Sequence, residues 1–247
     1  MEDFCQLRGK MQFFEAVFSA YFLSIFRKKL YLCKYVIFNS MSQVYSEKIS
    51  RIGSVFVWEV TETEEQLLSL RTLSAPEQSH LQKLRNPQKR LHWLAYRVLL
   101  KETLGCDFEI RYLDDGKPVL VQPQKFLSVS HSKDLVAVFL SDTQPVGIDI
   151  EKISDRIQNL VHKFLNETEQ QNSDLSDSSL LHFYWGAKEA VYKLFNQHRL
   201  LFAEQIHINS ISVEAQTAVA HVKTDHFQAK VQLIYRNIAG YMLVCGF

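Results

Sequence analysis

Cysteine is scarce and unpatterned in this 247-residue chain: Cys5, Cys33, Cys106 and Cys245 show no Cys-x-x-Cys spacing. That excludes a disulfide framework and a thiolate zinc site, and it points to a reducing, cytoplasmic setting. An excess of either charge is also missing. With a formal net charge of +1, no broad basic surface draws the chain to nucleic acid, so affinity for an anion has to be local. The apolar run at 11–26 has 16 residues, includes Glu15 and ends at Arg27-Lys28-Lys29, short of the ~20 residues that span a bilayer. It is a poor secretory leader as well, because Glu2 and Asp3 offset Arg8 and Lys10 ahead of it and no small-residue cleavage site follows. No Gly-x-Ser-x-Gly nucleophile elbow and no long Pro/Gly/Ser linker is present.

What remains is an ordinary globular composition, 47% hydrophobic and 12% aromatic, enough for one large core or two modest ones. The first forty residues stand apart. They hold 7 of the 17 phenylalanines and carry six basic against three acidic side chains, while 41–247 carries 22 against 24. Met41-Ser42-Gln43 opens a normal polar N-terminus, so 1–40 is expected to be an extension outside the fold, with translation starting at Met41. Membrane contact is expected only if that extension is present.

Two segments carry the chemistry. In Val146-Gly147-Ile148-Asp149-Ile150-Glu151, strand alternation puts Asp149 and Glu151 on one face and Ile148 and Ile150 on the other. In Trp185-Gly186-Ala187-Lys188-Glu189-Ala190-Val191-Tyr192-Lys193, positions 185, 189 and 193 share one helical stripe, with Lys188 beside it. Where Glu189 meets the strand pair, three carboxylates converge, and each repulsion at ~4 Å is about 4 kcal/mol at an effective dielectric of ~20. Such a cluster calls for a divalent cation. Hard oxygen donors suit Mg²⁺, with Mn²⁺ as the other choice, and Mg²⁺ usually completes its shell with substrate phosphates. Lys193 and Lys188 would neutralise the remaining phosphate charge. Taken singly, an alternating Asp-x-Glu is an ordinary solvated strand face, and Lys-Glu with a further Lys is an ordinary helix-surface pattern.

The two segments together resemble the paired signature of the 4′-phosphopantetheinyl transferases. Three more elements agree in order: a basic helix with Arg90 and Arg97, then Gly116-Lys117-Pro118, then Ser128-Val129-Ser130-His131-Ser132. The resemblance runs from about residue 85 to about 195. It implies transfer of the phosphopantetheine arm of coenzyme A to a serine of an apo acyl, polyketide or peptidyl carrier protein, releasing adenosine 3′,5′-bisphosphate. It also implies a metal held by Asp149, Glu151 and Glu189, and coenzyme A phosphates held by Arg90, Arg97, Lys117, Pro118, Ser130, His131, Lys188 and Lys193. Glu189 and Lys193 would be the catalytic pair, with Glu189 as metal ligand, base or both. Ser130 and His131 are adjacent on one strand, so they make a poor nucleophile and base for a hydrolase.

The expected fold is α+β, a pseudo-dimer of two similar halves at 41–143 and 144–247, in the manner of the monomeric surfactin-synthetase-activating type. Strands are expected at 52–60, then three or four through 141, then at 146–151, 206–213, 218–222, 228–235 and 239–245. Helices are expected at 74–84, 87–104, 157–165 and 178–196. Gly186 inside the signature helix costs about 1 kcal/mol relative to Ala, so its packing needs a reason. Apolar residues between Leu160 and Leu175, including Leu165, suit either a carrier helix or the core. Two other classes stay open: a metal-dependent phosphodiester or pyrophosphate hydrolase, and a non-catalytic module that binds coenzyme A or a carrier.

Overall fold

A computed structural model describes residues 42–195 and 200–247; the extension expected at 1–40 lies outside the described residues. Gln43–Phe247 forms one compact unit of mixed α/β structure. Its chain order is β1 (Gln43–Ile49), β2 (Gly53–Glu59), α1 (Glu64–Leu70), α2 (Ala75–Lys83), α3 (Pro87–Leu104), β3 (Glu109–Tyr112), β4 (Pro118–Gln122), β5 (Phe126–Ser132), β6 (Leu135–Ser141) and β7 (Gly147–Lys152). A 3₁₀ turn (Asp155–Leu160) follows, then α4 (Val161–Phe164), α5 (Glu167–Gln171), α6 (Ser178–Leu194), α7 (Phe202–Gln205), β8 (Ile206–Ser212), β9 (Thr217–Lys223), β10 (Gln228–Ile238) and β11 (Tyr241–Gly246).

Two antiparallel sheets result, ordered β1-β2-β6-β5 and β7-β11-β10-β9-β8, with β3-β4 as a separate hairpin. Alternation sorts each strand's side chains. Val55, Val57, Ala137 and Phe139 of the first sheet share a core with Ile148, Ile150, Leu243 and Cys245 of the second. On its other face the second sheet packs against α6, where Leu181, Tyr184, Ala187 and Val191 meet Val231, Leu233, Met242 and Val244. Helix α3 lies on β2 and β6.

The two long helices begin and end where local chemistry dictates. Asn86 caps α3 by accepting from Lys89 N at 3.1 Å, Pro87 fills its first turn, and Gly105 closes it at φ 64°. Asp177 caps α6, accepting from Ser179 N at 2.8 Å and Leu180 N at 3.0 Å. Strand β1 and helix α1 were not expected. β1 exposes every second residue and ends in buried Ile49, so its hydrophobic signal is weak. The stretch expected as one helix at 157–165 is a 3₁₀ turn followed by the single-turn α4. Leu165 is buried in the core beside α6, which settles its role as packing.

The seating of α6 depends on two glycines. A Cβ at Gly147 would stand 1.9 Å from Ala190 O, and one at Gly186 would stand 2.9 Å from Val244 Cγ2. The helix therefore lies directly on β7 and β11, which is the packing reason for a glycine inside a helix.

Candidate active site

Asp149 and Glu151 point from β7 toward α6, while Ile148 and Ile150 face the inter-sheet core, as the alternation predicts. Asp149 is 4% exposed. Its Oδ1 accepts from Ser130 Oγ at 2.8 Å and Lys193 Nζ at 2.9 Å, whereas its buried Oδ2 has no hydrogen-bond partner. Glu151 Oε2 accepts from Ser132 Oγ at 2.7 Å. Burial raises the Glu151 carboxyl above its ordinary range, Ser132 works against that, and Asp149 adds to it. Glu189 approaches from α6, and its carboxyl is pushed up to about 7, first by burial and then by the Asp149 charge, with Lys193 opposing and Glu151 adding. The three acids thus share one electrostatic field.

Lys193 anchors this cluster. All three of its ammonium donors are used, toward Ser130 Oγ at 2.9 Å, Ile148 O at 2.8 Å and Asp149 Oδ1 at 2.9 Å. A phosphate reaching Lys193 would have to replace one of those acceptors. Lys152, adjacent to Glu151, turns away, its ammonium 3.4 Å from Ala239 O and 4.4 Å from the centre of the Tyr241 ring.

The serines of β5 do more than the sequence reading gave them. Ser128, Ser130 and Ser132 alternate onto one face, and each meets β7: Ile148 N donates to Ser128 Oγ at 3.1 Å, Ser130 binds Asp149, and Ser132 binds Glu151 while accepting from Lys152 N at 3.2 Å. Two sheet edges are therefore joined through hydroxyls, which covers both edges and orients two carboxylates at once. The every-second-residue spacing of serine was the signal that could have found Ser132.

His131 is exposed and stacks on buried His92, ring centres 4.4 Å apart. Loss of hydration, then the His92 ring and the Lys193 ammonium, hold its pKa down at about 4. Lys117 donates to Lys193 O at 2.8 Å at the end of α6, and burial lowers its pKa. Lys117 and Pro118 line a cavity of about 200 Å³ with Ser128 and Lys193, and a second of about 330 Å³ walled by Leu113, Phe126, Leu127, Leu194 and Phe195. Glu151 borders a third, of about 450 Å³, with Ser132, Lys152, Arg156 and Trp185.

Three residues expected to hold phosphate have partners within the fold. Lys188 is 0% exposed and its ammonium pairs with Glu169 Oε2 at 2.6 Å, leaving no surface for a ligand. Arg97 is 1% exposed, 3.5 Å from the centre of the Trp93 ring, and bound to Glu77 at 3.2 Å and Tyr112 Oη at 2.9 Å. Arg90 is tied to Glu64 and donates to Leu81 O at 2.6 Å and Leu84 O at 3.2 Å. Each cation is paired with a carboxylate from an earlier helix, Glu64, Glu77 or Glu169.

The chemistry of the donor set fits a hard divalent cation. An unpartnered buried carboxylate oxygen beside two carboxyls that are hard to ionise is a site completed by positive charge. Among the described residues, no three acid, imidazole or thiolate groups stand in a metal-holding arrangement.

Residues 145–243 match the family model described as the 4′-phosphopantetheinyl transferase superfamily. The 4′-phosphopantetheinyl transferase AcpT of Escherichia coli O157:H7 is 37% identical over 113 residues, 42% of this chain and 57% of that protein. AcpT of Salmonella typhimurium is 35% identical over 113 residues, covering 42% of this chain and 58% of its own length, and AcpT of Escherichia coli K12 is 37% identical with 42% and 57% covered. The chain thus spans a little over half the length of the curated relatives it matches. The segment bearing Asp149, Glu151, Glu189 and Lys193 is therefore similar in sequence to known 4′-phosphopantetheinyl transferases.

Proposed function

We propose that this protein transfers the 4′-phosphopantetheine arm of coenzyme A to a serine of an apo carrier protein, acyl, polyketide or peptidyl, and releases adenosine 3′,5′-bisphosphate. The observation that carries the reading is the meeting of β7 and α6: Asp149 with one orphaned buried oxygen, Glu151 and Glu189 with raised carboxyls, and Lys193 bound to Asp149. The similarity of 145–243 to this transferase superfamily supports it.

Asp149, Glu151 and Glu189 would hold Mg²⁺ or Mn²⁺, which when bound neutralises pyrophosphate charge and stabilises the charge developing on the leaving phosphate. Around that cation the side chains have separate tasks. Lys193 and Ser130 fix the Asp149 carboxylate in rotation, and Ser132 fixes Glu151. Lys117 and Pro118 would receive coenzyme A along the cavities beside the end of α6, with Ser130 and His131 contributing from β5. Without the cation, burial and the Asp149 charge push the Glu189 carboxyl up to about 7; a bound cation would favour its ionised form, the form that can accept the attacking serine's proton. The new bond joins serine Oγ to the β-phosphorus, the bond from that phosphorus to the bridging pyrophosphate oxygen breaks, and the electron pair leaves with adenosine 3′,5′-bisphosphate.

The same reading includes a monomeric pseudo-dimer of halves at 41–143 and 144–247 acting in the cytoplasm. Each half's antiparallel sheet with one long helix on its outer face supports the duplication, and the unpaired Cys106 and Cys245 fit a reducing setting. Among the described residues no helix is long and apolar enough to cross a membrane.

The test is the intact mass of an apo carrier after incubation with the chain, coenzyme A and Mg²⁺, beside Glu189→Gln. A gain of one phosphopantetheine, lost in the variant, is expected. Pyrophosphate cleavage without a carrier would favour a hydrolase instead, and coenzyme A binding without turnover a binding module.

A further inference from the structure

Lys188 and Glu169 form a buried ion pair for which the proposed reaction has no use, and its partners are specific. Glu169, 5% exposed, sits in the first turn of α5. Its Oε2 accepts from Asn166 N at 3.0 Å, closing the α5 capping box, and from Lys188 at 2.6 Å; its Oε1 accepts from Ile208 N of β8 at 2.8 Å. Lys188 donates a second time to Phe202 O at 3.1 Å, at the start of α7. One carboxylate and one ammonium thereby tie α5, α6, α7 and β8 together.

Burying such a pair is a weak source of stability, since desolvation offsets most of the attraction. A well-packed apolar pair would hold the helices equally well. What the charged pair adds is direction. Lys188 immediately precedes Glu189, so the two side chains leave α6 about 100° apart, one toward α5 and β8, the other toward β7. On its sheet side, α6 meets Gly147 of β7 through close backbone contact and the Val244 side chain of β11 at Gly186. That contact fixes how deeply the helix sits, Lys193 ties its C-terminal end to β5 and β7, and the Lys188 pair holds it from the opposite side.

We propose that Lys188 is a positioning residue: its ion pair with Glu169 fixes the rotation of α6 and so holds the Glu189 carboxyl against Asp149 and Glu151. A rotation of about 10° about the helix axis moves a side-chain tip ~6 Å from it by about 1 Å. Misplacement on that scale can cost about 10²-fold in rate. The proposal rests on the transfer reading only for its kinetic readout.

The test uses the full chain with Lys188→Met and with Lys188→Met/Glu169→Gln. The double variant leaves no unpaired buried charge and keeps an acceptor for Ile208 N, so it folds if the single variant does not. Coenzyme A affinity by calorimetry, KM and kcat for carrier modification, and a crystal structure of the folded variant are measured. The expected result is coenzyme A affinity and KM unchanged within about threefold, kcat lowered about 10- to 100-fold, and Glu189 displaced from Asp149 and Glu151. Weakened coenzyme A affinity with kcat preserved would make Lys188 a ligand after all and overturn the proposal. So would an undisplaced Glu189 in the charge-free variant. If the wild-type chain modifies no carrier, the transfer reading falls, while the position of Glu189 in the variant still decides this inference.

Discussion

Replacing Glu189 by glutamine should stabilise the protein at neutral and alkaline pH while abolishing its activity. The folded carboxyl titrates at about 7 against 4.5 for the ordinary group. The folded state therefore holds a proton that the unfolded state has already lost, so stability falls as pH rises from about 4.5 to about 7 and is flat outside that window. The 2.5-unit difference corresponds to roughly 3 kcal/mol at 1.36 kcal/mol per unit. Glutamine has nearly the same shape and no charge, so Glu189→Gln escapes this loss. At pH 8 the variant should melt about 6–12 °C above the wild type, using about 2–4 °C per kcal/mol for a chain of this size, and the gain should vanish near pH 4.5. Thermal unfolding followed by circular dichroism from pH 4.5 to 8.5, with chelator and without coenzyme A, reads it directly. A variant no more stable than wild type at pH 8, or a gain that does not change with pH, would refute the electrostatic account of the cluster.

The other expectations concern the parts that hold the cluster. Gly147→Ala should unseat α6, because its Cβ meets the Ala190 carbonyl at 1.9 Å; calorimetric stability should fall by about 3 kcal/mol or more, beyond the usual range of overpacking. Arg97→Ala should cost about 2–5 kcal/mol, the scale for emptying the space of a large buried side chain, because Glu77 keeps Arg71 as a partner at 2.9 Å; the KM for coenzyme A should be unchanged in the folded fraction at low temperature. Ser132→Ala removes the hydrogen bond that lowers the Glu151 carboxyl, so the acid limb of the pH–rate profile should move to higher pH.

The parts of the site closest in sequence were the most legible. Asp149 and Glu151 followed from strand alternation, and Glu189 and Lys193 from a four-residue helical step, because both periods are set by the backbone alone. The ends of α3 were legible because Asn86, Pro87 and Gly105 are local signals. What was not legible depended on partners from other elements. Arg97 and Arg90 read as phosphate-binding residues on one helical face, yet Glu77 and Glu64, from helices earlier in the chain, pair with them. Lys188 reads as a neighbour of Glu189, but one residue is 100° of helix, and Glu169 waits on the other side. Helix α1 carried a readable signal in its Thr63–Gln66 capping box, whereas β1, half exposed with polar Glu47 and Lys48, carried almost none.

The central claim is that the acids between β7 and α6 serve transfer to a carrier serine, and it is tested most directly by following the nucleotide product. The chain, coenzyme A and Mg²⁺ are incubated with an apo carrier, and in parallel with the same carrier bearing alanine at its acceptor serine. Adenosine 3′,5′-bisphosphate formed in step with carrier modification, and absent with the alanine carrier, is the predicted result. Equal release from both carriers would contradict the account and make the cluster hydrolytic.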